Sequence, residues 1–252
     1  LRVARKIAAA DKMPDIYKGA KAGVGEFYFY NVASQKFLMG GSDWNTHAAV
    51  DVPGMLFTVA AEGNGFTINR MGGKDGNYLG YNGYTDIPGK DVWAFVPVAG
   101  KANVYNIVKG DNHAQGLAFA PQSNTDADDA MDKEFWNTVS VEASVAKNAN
   151  DEWKLVTKAE RDALLATATE TRPIDATYLL TGPGFNRPAM LEGWNTDRKG
   201  DFKDANLGVI DRGRRTNLVC EAYYLQSFEV NQTVSNLPEG YYQVNMTGYY
   251  CD

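Results

Sequence analysis

The chain has 252 residues, of which 44% are hydrophobic and 22% charged, and its formal net charge is −6. This length suits one large or two ordinary domains, and the apolar content is enough for a buried core. An acidic balance argues against a nucleic-acid-binding surface, because contacts to phosphate need clustered Lys and Arg. No run approaches the ~18 apolar residues of a membrane-spanning helix. Because the chain starts at Leu1, we expect a processed or excised part of a longer protein.

Residues 1–24 are predicted to be an N-terminal helical segment. Residues 1–10 combine alanines with good helix formers, and Pro14 ends the pattern. We interpret this segment as the end of a helix begun upstream, with a packing role and no chemistry of its own.

Residues 25–156 contain many short β-branched and aromatic runs separated by Gly, Asn and Asp turns, which predicts a series of strands. Within it a pair made of an aromatic residue or glycine followed by leucine recurs, at Phe37-Leu38, Tyr78-Leu79 and Gly116-Leu117. Successive leucines are 41 and 38 residues apart. Such near-constant spacing is typical of repeat architectures, in which one unit cannot bury its apolar face alone.

A second recurring feature is an aromatic residue that opens the last strand of each unit, at Phe57, Trp93 and Trp153. Three units of about forty residues, each closed in this way, predict an all-β, β-trefoil-like domain over residues 25–156. The third unit is longer because residues 121–137 insert a polar, acidic loop. The closing strands resemble those of ricin-type lectin trefoils. They lack that family's Gln two residues before Trp, since positions 91 and 151 are Asp, so its binding residues are not carried over.

Residues 157–175 are predicted to be a connecting helix and linker. Thr157 and Glu160 match the S/T-x-x-E capping box, an apolar stripe follows as far as Thr169, and Pro173 stops the helix. Residues 176–252 return to strand patterns, predicted at 177–182, 207–210, 217–225, 227–234 and 240–250 with a polar stretch at 195–206. Cys220 and Cys251 are candidates for a disulfide that spacing alone does not decide.

Two parts of the chain resemble a family of surface and secreted proteins from Gram-negative gut and oral commensal bacteria. One is YFYNVASQKFLMGGSDW at residues 28–44, and the other runs from WKLVTKAERDALLATATE at residue 153 through the Leu-Pro-Glu-Gly turn to the Tyr-rich end. The resemblance spans residues 25–252 and implies a trefoil-like domain followed by a galactose-binding-like jelly-roll β-sandwich over residues 176–252. A jelly roll has about eight strands, so with about five we expect a partial domain, completed by something else or cut short.

No catalytic arrangement stands out. His47 and His113 are the only histidines, neither has metal-ligand spacing, and the nucleophile-elbow, zinc-protease and P-loop motifs are missing. The acidic run at residues 125–134 fails the EF-hand template and is interpreted as a solvated loop. Acid pairs for glycoside hydrolysis can be imagined but none is distinctive, among Asp43, Asp75, Asp86, Glu62 and Glu192. We expect no enzymatic activity, no metal and no cofactor.

Sugar binding fits better, because aromatic faces stack on apolar C–H patches while Asp, Asn and His bond the hydroxyls. Three turns of the first domain and two positions of the second offer this mixture. The candidate ligand-binding residues are Asp43, Trp44, Asn45, His47, Asp75, Tyr81, Asn82, Tyr84, Asp111, Asn112, His113, Trp194, Asn195, Tyr223 and Tyr224. The alternative interpretation is structural: the aromatic rings plug the barrel, and Asp and Asn bond their own backbone.

We therefore predict a non-catalytic protein, on the cell surface or secreted, that presents carbohydrate-binding-like domains for contacts with glycans or other surface proteins. One alternative is a structural or assembly subunit that binds no sugar. Another is a pair of accessory domains attached to a glycan-degrading enzyme.

Overall fold

The computed structural model describes residues 16–42, 47–51, 54–70, 73, 75–120, 139–180, 194–199, 207–211, 218–222, 227–235, 237 and 239–246. Over these ranges the protein is mostly β, with one short α-helix. None of the helices within them is long and apolar enough to cross a membrane. The acidic run at residues 125–134, Glu192 and the partner cysteine Cys251 lie outside the described residues.

A closed, antiparallel six-stranded barrel forms the first part of the fold. Each strand pairs with the next, and the last pairs back with the first, so the barrel leaves no open edge. In barrel order the strands are β1 (Gly25–Asn31), β4 (Phe57–Glu62), β5 (Gly65–Asn69), β6 (Trp93–Pro97), β7 (Tyr105–Lys109) and β10 (Trp153–Val156).

The connections between barrel strands repeat. Between β1 and β4 lies a hairpin of β2 (Lys36–Ser42) and β3 (His47–Asp51), and between β7 and β10 lies one of β8 (Gln115–Phe119) and β9 (Val139–Ser144). Between β5 and β6 isolated bridges join Tyr78 to Asn69 and to Ile87. The strand register also repeats. In each unit the aromatic residue that opens the closing strand lies opposite an aromatic residue of the unit's first strand: Phe57 opposite Phe27, Trp93 opposite Phe66, and Trp153 opposite Tyr105.

Both recurring sequence features lie in the barrel core. The three landmark leucines and the three closing aromatic residues are buried in one cluster, comprising Leu38, Leu79, Leu117, Phe57, Trp93 and Trp153. Burying such a side chain contributes about 1.5–3 kcal/mol. The indole Nε1 of Trp93 donates to the Leu79 carbonyl oxygen (3.0 Å), and that of Trp153 donates to Leu117 (2.9 Å). Phe57 has no donor, and the backbone N–H of Met55 bonds the Leu38 carbonyl instead (3.0 Å).

Of the two predicted helical regions, the first is described only in part and the second is shorter than expected. Residues 1–15 lie outside the described residues, and residues 16–24, named the strap here, are non-helical and follow the barrel wall, where Ala20 N–H donates to Leu155 (2.6 Å). The connecting helix is shorter than 157–169: α1 spans Lys158–Ala163 and a 3₁₀ turn follows at Leu165–Thr167. Threonines at 167, 169 and 171 are poor helix formers, and Thr167 Oγ1 bonds the Leu164 carbonyl, which favours the tighter turn.

Half of the predicted capping box is present. Thr157 Oγ1 accepts from the Glu160 N–H (3.1 Å), as predicted. The Glu160 carboxylate is used differently, accepting from the N–H of Gly19 in the strap (2.8 Å). The helix start therefore also fixes the strap.

Arg161 of α1 lies at the centre of a second buried cluster, the Arg161 cluster, formed with Tyr17, Tyr28, Phe37 and Tyr178. Burial lowers the pKa of Arg161, an effect opposed by the neighbouring tyrosines. Burial raises the pKa of Tyr17 to about 12 and that of Tyr178 to about 12. Besides Arg161, the titratable groups that influence the pKa values of Tyr17 and Tyr178 include Glu160, Asp162, Tyr28 and Tyr30.

We expect the free energy of unfolding to fall as pH rises from the ordinary tyrosine pKa of 10.0 to about 12. In this window the unfolded chain has released the Tyr17 and Tyr178 protons while the folded chain still holds them, so alkali favours unfolding. Urea denaturation across the window measures the slope. The double variant Tyr17→Phe/Tyr178→Phe should show a shallower slope, and an unchanged slope would contradict the assignment.

In the second part of the chain, three of the five predicted strands are confirmed, at 207–211, 218–222 and 227–231, and two are not. Its described strands form two separate antiparallel pairs: β11 (Asn195–Lys199) with β14 (Ser227–Asn231), and β12 (Leu207–Asp211) with β13 (Leu218–Ala222). β11 lies in the polar stretch 195–206, where no strand was predicted. Residues 177–179 form a 3₁₀ turn, not a strand, and residues 240–246 form no strand. The alternating side chains of that last stretch are exposed, so the pattern has no sheet against which to bury one face.

Candidate functional site

His47, Asn82 and Tyr84, predicted from two different turns, come together at the surface of the barrel domain. The His47 ring lies edge-on against the Tyr84 ring, with centroids 5.0 Å apart and planes at 88°. Backbone pairing supports the contact, since residues 47 and 84 form a bridge and Ala48 N–H donates to Gly83 (2.7 Å). We call these residues, with Gly83, the junction, because they join the first hairpin to the second unit.

Local hydrogen bonds orient the polar groups of the junction. His47 Nδ1 donates to the Ala48 carbonyl oxygen (3.1 Å), which in the neutral ring places the lone pair on Nε2. Asn82 Oδ1 accepts from the Tyr84 N–H (3.1 Å), and the amide end of this exposed side chain is directed away from that bond. The junction thus combines an aromatic ring, an imidazole and an amide on a rigid turn.

Gly83 is required by the turn. Its φ is +86°, in the region that favours glycine, and a Cβ here would lie 2.6 Å from His47 Nε2. The imidazole therefore packs directly on the Gly83 backbone. No sequence signal marks Gly83, because its neighbour His47 is 36 residues away in the chain.

Arg70 is a further residue that the sequence did not indicate. Its Nε donates to the Thr85 carbonyl oxygen (2.8 Å), directly after Tyr84. This bond fixes the outgoing backbone of the junction to the end of β5. The contact joins residues 15 apart without any motif, so no sequence signal identifies it.

Tyr81, in contrast, makes contacts within the fold that indicate a structural role. Its hydroxyl donates to the Val92 carbonyl oxygen and accepts from the Gly110 N–H (2.9 Å), while its ring lies edge-on against Trp93 (5.1 Å). Burial raises the pKa of Tyr81. With both hydroxyl bonds made internally, Tyr81 joins the second and third units.

The remaining candidates of the barrel domain lie in local turns. Asp75 is exposed and accepts from the Tyr78 hydroxyl (3.3 Å). Asn112 accepts from the Ala114 N–H (3.2 Å) and donates to Gln115 (3.2 Å), so it stabilises its own turn. Asp111 and His113 flank it and are exposed.

The other candidates are described only in part. Asp43, Trp44 and Asn45 precede His47 and lie outside the described residues, as do Tyr223 and Tyr224. Trp194 is half-buried, and Asn195 beside it donates to Asn231 Oδ1 across the β11–β14 pair (3.2 Å). The described residues contain no group of three or more His, Cys, Asp or Glu placed to hold a metal ion.

No protein-family model and no curated protein matches the chain. Among solved structures, a complex of lysenin with phosphocholine is similar at 15% sequence identity and a TM-score of 0.38. The match covers 55% of this chain and 46% of the lysenin chain, less than half of its length. Similarity at this level supports no conclusion about fold family or ligand.

Proposed function

We propose that the protein is a non-catalytic glycan-binding protein, placed on the cell surface or secreted. The observation that carries the proposal is the junction, where Tyr84, His47 and Asn82 share one surface position between two units. An aromatic ring beside hydrogen-bonding groups is the combination that holds a sugar ring and its hydroxyls. The predicted candidates Asp43, Trp44 and Asn45 immediately precede this part of the chain in the sequence.

We further propose that the barrel domain is a β-trefoil. Three barrel-strand pairs with matching aromatic registers, each enclosing a hairpin or a bridged turn, support this assignment. For residues 176–252, the galactose-binding-like assignment and the bacterial surface origin are supported by the sequence resemblance alone. They remain parts of the proposal.

Binding is tested by measuring the protein on a glycan array and on polysaccharide affinity gels. We expect retention on at least one glycan and a loss of about two- to tenfold in affinity for Tyr84→Ala, since one aromatic contact is worth about 0.5–1.5 kcal/mol. His113→Ala, in the third turn, should bind as the parent does.

Asn64→Ala is the matched control, because Asn64 is exposed in the β4–β5 turn and is not a candidate residue. Equal losses in Tyr84→Ala and Asn64→Ala would contradict a site at the junction. A folded protein that no glycan retains would contradict sugar binding altogether.

An assembly role is the second candidate, and one observation favours it. In residues 241–246 apolar side chains are strongly exposed, with Tyr241 at 102%, Met246 at 91% and Val244 at 85% of their full exposure. Exposed apolar patches of this kind mark contact surfaces. This role gains support if the glycan experiments are negative.

A further inference from the structure

We propose that residues 157–180, named the connector here, form a rigid extension of the barrel domain, held together with the strap by the shared guanidinium of Arg161. The sequence predicted a connecting helix and linker between two domains. The Arg161 cluster indicates that strap, barrel and connector behave as one cooperative unit over residues 16–180.

The guanidinium of Arg161 is enclosed by rings from two different parts of the molecule. Its Cζ lies 4.3 Å from the ring centroid of Tyr28, in barrel strand β1, and 4.0 Å from that of Phe37, in the hairpin strand β2. Tyr178, at the far end of the connector, lies over it at 3.9 Å. Arg161 is only 1% exposed, and desolvated cation–π contacts are worth about 2 kcal/mol or more.

The strap reaches the same guanidinium through Tyr17. The charge of Arg161 opposes the rise that burial causes in the Tyr17 pKa, and the Tyr17 ring lies edge-on against Tyr30 (5.0 Å) and against Phe37 (5.4 Å), which itself contacts the guanidinium. The Tyr17 carbonyl oxygen also accepts from Lys154 Nζ (2.7 Å) of β10. Tyr17 thus fixes the strap both to the Arg161 cluster and to barrel strand β10.

The connector is folded back onto the cluster at its far end. The Tyr178 hydroxyl donates to the Arg161 carbonyl oxygen (3.1 Å). Between them, Arg172 N–H and the Thr169 backbone form a tight reciprocal pair, and Thr177 N–H bonds Asp175. These contacts bring residues 161 and 178 together and leave the intervening chain little freedom.

Sharing one buried cation couples the two ends. A buried charge is costly unless its surroundings compensate it. Removing one ring therefore leaves the Arg161 guanidinium less firmly held, and its contacts with the remaining rings weaken. Any such coupling between two contacts is reciprocal. Loosening the connector at Tyr178 should therefore loosen the strap, and loosening the strap at Tyr17 should loosen the connector.

Hydrogen–deuterium exchange on the full chain tests this coupling. The variants are Tyr178→Ala and Tyr17→Ala, and the readout is the exchange rate of residues 164–180 and of residues 16–24, each divided by that of β7 in the same sample. We expect both ratios to rise about tenfold in both variants. Dividing by β7 removes any general loss of stability.

Lys158→Ala is the matched control, because Lys158 is an exposed residue of the same helix whose ion pair with Asp162 contributes little. It should change neither ratio. A rise confined to the segment that carries the substitution would overturn the proposal, since the two contacts would then be independent. Unchanged ratios in either Tyr variant would overturn it as well.

Discussion

Replacing Trp93 or Trp153 with phenylalanine is expected to lower the free energy of unfolding by about 2–4 kcal/mol. Both indoles are fully buried, and each Nε1 donates to the carbonyl oxygen of a buried landmark leucine, at 3.0 Å for Leu79 and 2.9 Å for Leu117. Phenylalanine leaves a void and a buried acceptor without its partner. Urea denaturation at neutral pH measures the change.

Phe57→Leu provides the comparison, because position 57 is the corresponding residue of the first unit and has no donor to lose. There the Leu38 carbonyl is bonded by the Met55 N–H, which the substitution leaves in place. We expect each tryptophan variant to cost at least about 1 kcal/mol more than Phe57→Leu, the usual penalty for a buried polar group left unbonded. Equal losses in the free energy of unfolding for all three variants would show that the lost side-chain volume alone determines the effect.

Gly116→Ala should also destabilise the protein, by about 1–3 kcal/mol or more. A Cβ at residue 116 would overlap the Ile107 carbonyl oxygen and lie 3.0 Å from the Val108 Cα, both backbone atoms that cannot rotate away. This explains why the third unit has Gly before its leucine where the first two have Phe37 and Tyr78. The midpoint of urea unfolding is the measurement.

Gly89→Ala is the control for this substitution. Its Cβ would have Ile87 Cγ2 as the nearest atom at 3.8 Å, an ordinary contact. Since alanine restricts the unfolded chain more than glycine does, we expect no loss and a gain of up to about 1 kcal/mol. A loss at residue 89 as large as that at residue 116 would contradict the steric explanation.

The barrel could be predicted from the sequence because its strands carry a repeated marker. The leucine of each landmark pair and the aromatic residue of each closing strand are all buried, so their spacing reflects the packing of the core. β3 carries little strand signal in the sequence, because HAAVD contains small and charged residues, and its strand state depends on pairing with β2. Pairing of this kind overrides local propensity.

The second part of the chain was predicted less well. β11 has the sequence NTDRK, which has no apolar alternation, and its strand state comes from the register with β14. Conversely, residues 240–246 alternate well but form no strand, because alternation specifies a face only where a sheet is present to cover it. The hydrophobic period alone therefore fails to indicate one strand that forms and indicates another that does not.

The candidate site was predicted residue by residue but not as an arrangement. His47 and Tyr84 were placed in separate turns, and only the bridge between the first hairpin and the second unit brings their rings together. Tyr81 was selected for its residue type, yet its hydroxyl is bonded to Val92 and Gly110. Residue type indicates the chemistry available, while contacts across units decide where it is used.

Pairing of β1 with β10 also brings the two ends of the barrel together. Tyr28 lies opposite Val156, so the polypeptide enters and exits the barrel side by side at one pole. A domain with adjoining entry and exit points can sit as a side branch on a larger protein without separating the segments on either side of it.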